Sequence, residues 1–164
     1  PGKGSVFLSR IPRDRNASSP IPDILWGVFC RPIAGEVESG DAWRVSVDAK
    51  ASRFFVVDGL GHGPTAAIAA NTAGDAFARY PHYSPQQFME AAHRELAGTR
   101  GAAAALLQVD TETGDANYAG VGNISSWIVG GGQGVMRDAA SAEARLEGDD
   151  RGGAAGLHPR AGPD

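Results

Sequence analysis

Cysteine is nearly absent. Cys30 stands alone in 164 residues, so no disulfide forms within the chain, a pattern that points to a reducing cytosol. A reactive thiol is one reading of Cys30, but its place at the end of the apolar run 24–30 favours a small buried hydrophobe. Lysine is almost as scarce, found only at Lys3 and Lys50, and arginine carries the rest of the positive charge. A basic excess is missing too: the net charge is −4, which argues against a nucleic-acid surface. No run approaches the roughly 20 apolar residues that a membrane helix needs, and the first residues lack the basic-then-apolar order of a signal peptide. These absences lead us to expect a cytoplasmic protein that partners neither membrane nor nucleic acid.

What is present fits a folded domain. The chain is 42% hydrophobic with a mean hydropathy of −0.22, long enough to bury a core. Residues 24–36 form an apolar, β-prone segment that breaks at Gly35 and again at Ser39-Gly40. Trp43, Val45 and Val47 alternate with Arg44, Ser46 and Asp48, the period of a half-buried strand. The aromatic and β-branched run 53–57 predicts a second strand, ending at Asp58. Residues 64–80 carry Ala66, Ala69, Ala70, Ala73, Ala76 and Phe77 at spacings of three and four behind Pro64, which predicts a helix packed closely on a sheet. Ser84, Pro85 and Gln87 predict a capped second helix whose face is Phe88, Ala92 and Leu96, stopped by Gly98. Strands are expected at 103–109, 116–120 and 124–129, the first two joined as a hairpin by the polar turn 110–115. Trp26, Trp43 and Trp127 fall on these strands and are expected in the core.

Strands, a helical pair, then strands predict an α+β layered fold. From 138 to 164 the chain has no aromatic and almost no β-branched residue. The expected division is therefore a folded domain over 1–137 and a low-complexity, disordered or divergent tail over 138–164.

The sharpest local feature is Asp58-Gly59-Leu60-Gly61-His62-Gly63. Glycines around an acid allow backbone approaches that side chains forbid, and hard cations such as Mg²⁺ and Mn²⁺ prefer carboxylate and carbonyl oxygens. Asp58 and the Gly59 carbonyl are candidate ligands. Upstream, Glu36-Val37-Glu38-Ser39-Gly40-Asp41 places Asp41 at another glycine turn, and a hairpin between Trp43 and Val57 would set Asp41 and Asp58 at one end of the sheet. A plain turn residue is the competing reading for an Asp before Gly. His62 is a candidate proton donor to a leaving serine oxygen or, equally, a residue that orients the turn. Arg100 is a candidate phosphate contact or a structural ion-pair partner. Asn123 reads as a turn residue, and His82, His93 and His158 as surface histidines.

Four motifs occur in order: Ser39-Gly40-Asp41; 56–63 (VVDGLGHG) opening the alanine-rich helix; 99–110 (TRGAAAALLQVD); and 118–125 (YAGVGNIS). Together they resemble the SpoIIE/RsbX-type branch of the PPM metal-dependent serine/threonine protein phosphatases, over residues 25–135. The resemblance implies an α-β-β-α sandwich, two antiparallel sheets flanked by helices. It implies hydrolysis of phosphoserine or phosphothreonine by metal-activated water, dependent on Mn²⁺ or Mg²⁺ at a two-metal site. By position Asp41 and Asp58 match metal-site acids and Gly59 the backbone-carbonyl ligand. The implied partner is a phosphorylated STAS-domain anti-anti-sigma or stressosome protein. Past Arg137 the resemblance lapses. Asp138, Asp149 and Asp150 lack the context of the family's later aspartates, which makes the domain C-terminally incomplete against the pattern. The alternative expectation is a catalytically impaired phosphatase-like binding module in the same signalling pathway.

Overall fold

The structure, a computed structural model, describes residues 6–10, 24–126, 128–129, 135–136, 141–147 and 156–159. Its centre is an antiparallel hairpin. Strand β3 (Asp41–Val47) pairs with β4 (Ala51–Gly59), Asp41 opposite Asp58 and Val47 opposite Ser52. The turn between them is held by Asp48, whose Oδ1 accepts the Lys50 and Ala51 amides at 2.8 and 2.9 Å. Those two bonds, the Ala51 amide first, keep the Asp48 carboxyl below the ordinary aspartate value. An aspartate that ties its own backbone in this way is a local turn signal.

Strand β4 pairs along its length with β5 (Ala102–Asp110), which pairs with β6 (Asp115–Val121). Asp110 repeats the device of Asp48, its Oδ1 accepting from Glu112 and Thr113. The sheet continues through β9 (Ser141–Glu147) and β10 (Gly156–Pro159), giving the order β10-β9-β6-β5-β4-β3. Two further antiparallel pairs stand beside it: β1 (Val6–Arg10) with β2 (Leu25–Phe29), and β7 (Ile128–Val129) with β8 (Val135–Met136). The architecture is α+β.

Both helices cover one face of the large sheet. Helix α1 (Pro64–Arg79) turns Ala66, Ala69, Ala70, Ala73, Ala76 and Phe77 inward, as the alanine spacing predicts. Small side chains let the helix lie close. A Cβ at Gly74 would meet the Arg44 guanidinium of β3 at 2.5 Å. Helix α2 (Pro85–Glu95) begins at the expected capping box: Ser84 Oγ accepts the Gln87 amide at 3.3 Å, and Gln87 Oε1 accepts the Ser84 amide at 3.0 Å. It ends at Glu95, one turn before Gly98, which sits in the following turn at φ +88°.

The helix–sheet core is built on three rings. Phe55 of β4 stacks on Phe77 at 5.8 Å and meets the edge of Phe88 at 4.9 Å, with Val57, Ala104 and Leu106 around them. Arg53, on the same face and only 3% exposed, spreads its guanidinium over Phe77 at 4.8 Å. Its N–H groups donate to the carbonyls of Tyr80, Pro81 and Tyr83 in the α1–α2 connection. Alternation puts Asp41, Trp43, Phe54, Val56 and Asp58 on the opposite face. There Trp26 of β2 lies 5.7 Å from Trp43, so β2 is on the side away from the helices.

Several expectations change. The strand expected over 24–36 is confined to Leu25–Phe29, after which Pro32 and Gly35 lead into turns. Residues 124–126 are irregular, and strand pairing at 124–129 begins only at Ile128. Trp26 is 43% exposed and not a core residue, because it sits on a two-stranded pair with one open side; Trp43 is half-buried and Trp127 lies outside the described residues. Cys30 is half-buried, its Sγ donating weakly to Ser39 Oγ at 3.4 Å and to the Asp41 carbonyl at 3.5 Å, so its surroundings are polar. Within 138–164 the structure places β9 and β10, where the composition led us to expect no strand.

Phe88 has no exposed surface and closes the three-ring contact. Phe88→Ala is expected to lower unfolding free energy by about 3–5 kcal/mol. Urea unfolding curves for the two proteins would measure this, and a loss under ~1 kcal/mol would show that the rings are not the core described.

Candidate metal centre

The end of the β3–β4 hairpin is closed by a bond from the Gly59 amide to the Gly40 carbonyl at 2.9 Å. This pins the two strands where both acids stand. Asp41 and Asp58 occupy facing positions on one side of the sheet, so their carboxyls are neighbours. The Asp58 carboxyl is pushed above the ordinary aspartate value. Partial burial is the largest cause, followed by the negative charge of Asp41 and a hydrogen bond between the two side chains. Two carboxyls this close favour holding a proton or a cation between them. Asp41 is itself fixed from behind, its amide donating to Ser39 Oγ at 3.2 Å.

The glycines explain why the acids sit here. A Cβ at Gly59 would fall 2.1 Å from the Ala66 carbonyl oxygen, so only glycine lets the first turn of α1 rest on the strand end. The chain then passes Gly61 at φ +101° and Gly63 at φ +67° before the helix starts. The Leu60 amide donates to the Gly101 carbonyl at 3.0 Å, fastening this loop to the start of β5. Arg100 lies over it: a Cβ at Gly61 would stand 3.1 Å from the guanidinium carbon, and Nη1 donates to Thr65 Oγ1 at 3.3 Å.

His62 is on the outer side of the same loop and is largely exposed. Its Nδ1 is 2.7 Å from Glu36 Oε1. Glu36 thus reaches across from the turn before β3, and its carboxylate occupies the space over Gly63, where a Cβ would be 2.7 Å from Oε2.

The structure therefore brings Asp41 and Asp58 together, puts Gly59 beside them, and sets His62 on the loop that follows. Sequence reasoning noticed Glu36 only as one acid in an acidic turn. Its partner lies 26 positions away, a separation that leaves no local signal. Arg100 was expected to meet phosphate or an acid, and the structure gives it a hydroxyl partner in Thr65. His82 and His93 are exposed, as expected of surface histidines.

The residues present suit a hard divalent cation. Two adjacent carboxyls with crowded negative charge, and the Gly59 carbonyl on the same turn, make an oxygen-only donor set. Among the described residues no group of three or more His, Cys, Asp or Glu side chains gathers around one point. Asp138, Asp149 and Asp150 lie outside the described residues.

The raised Asp58 value has a stability consequence for the metal-free protein. A carboxyl that binds its proton more tightly when folded contributes stability below its unfolded value, near 3.8, and loses it as pH rises through the folded value. At neutral pH the two acids therefore repel. In chelator, Asp58→Asn is expected to raise the melting temperature at pH 7, with the gain vanishing below about pH 4. Thermal melts across that range decide it, and an equal gain at pH 3 and pH 7 would rule out charge repulsion.

Comparison with known proteins gives consistent matches. The profile of the family described as Stage II sporulation protein E (SpoIIE) matches residues 48–146. A chain from the bacterial stressosome, described as a modular system adapted to control secondary messenger signalling, is 37% identical over 68% of this chain and 57% of that one, with a TM-score of 0.64. RsbX in complex with magnesium superposes with a TM-score of 0.65, at 20% identity over 80% of this chain and 63% of RsbX. The phosphatase domain and part of the regulatory domain of the Bacillus subtilis cell-fate determinant SpoIIE give 0.61, at 14% identity over 86% of this chain and 51% of that one. The chain thus spans between half and two thirds of each of these three structures. A search of curated proteins finds no match.

Proposed function

Since the chain belongs to the SpoIIE/RsbX-type branch of the PPM phosphatases, we propose that it removes phosphate from phosphoserine or phosphothreonine on a regulatory protein. The observation that carries this reading is the pairing of Asp41 with Asp58 in register on the face of the sheet away from the helices. Asp41, Asp58 and the Gly59 carbonyl would hold Mn²⁺ or Mg²⁺. When bound, such cations lower the pKa of coordinated water and offset charge on a phosphoryl group. The chain's own groups orient the rest. The Gly40–Gly59 bond keeps the acids adjacent, and Arg100 is placed beside the loop to meet a phosphoryl oxygen with the N–H groups that Thr65 does not take. His62, exposed on that loop, protonates the departing serine or threonine oxygen.

The substrate we propose is a phosphorylated STAS-domain regulator of partner-switching type, and the compartment the cytoplasm; the likeness to a chain described under the bacterial stressosome is in keeping with a signalling role. No helix among the described residues is long and apolar enough to cross a membrane.

The test is phosphate release from a phosphoserine STAS-domain protein by the full chain, with and without Mn²⁺. The expected outcome is Mn²⁺-stimulated turnover that Asp58→Asn lowers by roughly a hundredfold or more. Calorimetric titration with Mn²⁺ separates the alternative. Binding without turnover rules out the enzyme, and no binding up to millimolar metal leaves a phosphatase-like binding module.

A further inference from the structure

We infer that Glu36 is a positioning residue for His62, fixing which ring nitrogen faces the substrate; this rests on the phosphatase reading above. Glu36 and His62 are 2.7 Å apart, Oε1 to Nδ1. An ionised carboxylate only accepts hydrogen bonds, so Nδ1 must carry the proton in this contact. That fixes the tautomer and leaves Nε2 as the nitrogen that exchanges protons with anything outside the protein.

A second, independent feature shows that the contact is built in. Gly63 stands at φ +67° and ψ −156°, a conformation open essentially to glycine alone. A Cβ there would be 2.7 Å from Glu36 Oε2 and 3.0 Å from Oε1. The third glycine of the loop therefore makes room for the carboxylate itself. Glu36 is also the better covered partner, 26% exposed against 74% for His62, so the acid is the fixed member and the ring the one held. Arg100, which lies over the same loop, is engaged with Thr65 beside Gly61.

Water attacks phosphorus as the P–O bond to the serine breaks, and its protons go with its oxygen onto the phosphate, which sheds one to solvent on release. The bonding pair stays on Oγ, and the proton on His62 Nε2 passes to it. The ring is left neutral with Nδ1–H still on Glu36, ready to take its next proton from solvent at Nε2. Without Glu36 the ring is free to turn or to carry its proton on the wrong nitrogen.

Two readouts on the full chain test this. Long-range ¹H–¹⁵N spectra of the His62 ring at pH about 8, where an ordinary imidazole is neutral, are expected to show Nδ1–H in the native protein and in Glu36→Gln, whose amide oxygen still accepts, but a tautomer mixture in Glu36→Ala. In turnover, Glu36→Ala is expected to lower kcat on a phosphoserine protein roughly 10–100-fold with KM unchanged, while p-nitrophenyl phosphate, whose leaving group needs no proton, loses less than about threefold. Glu36→Gln should restore most of the difference. Equal losses on both substrates, or a bare Nδ1 in the native protein, overturn the inference. If the native protein hydrolyses neither substrate, the phosphatase reading fails instead, and the ring spectrum still decides whether Glu36 holds Nδ1–H.

Discussion

The close approach of helix α1 to the end of the β3–β4 hairpin is the constraint on which the rest is arranged. The Ala66 carbonyl lies where a Gly59 side chain would be, and Ala66 Cβ is 3.0 Å from the Cβ position of Gly40. With both strand ends reduced to backbone, the helix can start on top of the sheet and not beyond it. That start draws the loop 60–63 tight, leaves Asp58 at its mouth, and directs the alanine face of α1 down onto Phe55 and Val57. A helix that presents mostly alanine leaves volume to fill, and Phe55 of β4 together with Phe77 and Phe88 of the two helices supplies it.

The same contact explains the division of labour between the two sheet faces. On the helix side the strands present Phe55, Val57, Ala104 and Leu106, which stabilise by area removed from water. On the other side, at the same end of the same strands, stand the two acids. Alternation of side chains thus lets one strand hold the core with its odd-numbered residues and the candidate site with Asp58. The acids cost stability where they are. Dense packing one residue away is what keeps them there.

Much of this was legible in the chain because its causes are local. Strand alternation around Trp43, the alanine period of α1 and the Ser84–Gln87 box each declare themselves within a few residues, and the structure forms each of them. The pairing of Asp41 with Asp58 was also readable, since a short turn between two strands leaves little choice of register. What escaped depends on distance. The Glu36–His62 contact and the guanidinium of Arg53 beneath the α1–α2 connection join residues 26 or more positions apart. The exposure of Trp26 escaped for another reason: a strand's pattern tells which residues share a side, not whether anything covers it. For 138–164, composition argued against strands, yet β9 pairs with β6 through backbone bonds that small side chains do not prevent.

Arg53 also sets how the helical layer can behave. Its side chain passes through the aromatic cluster and ends on three carbonyls of the segment that links the helices. A guanidinium stays charged at any pH the protein meets, and burial makes that charge dependent on those acceptors. Pulling that linker off β4 would strand a cation in oil. The connection is thus anchored to the sheet from below like a keel, so neither helix can slide over the strands at that end without breaking those bonds.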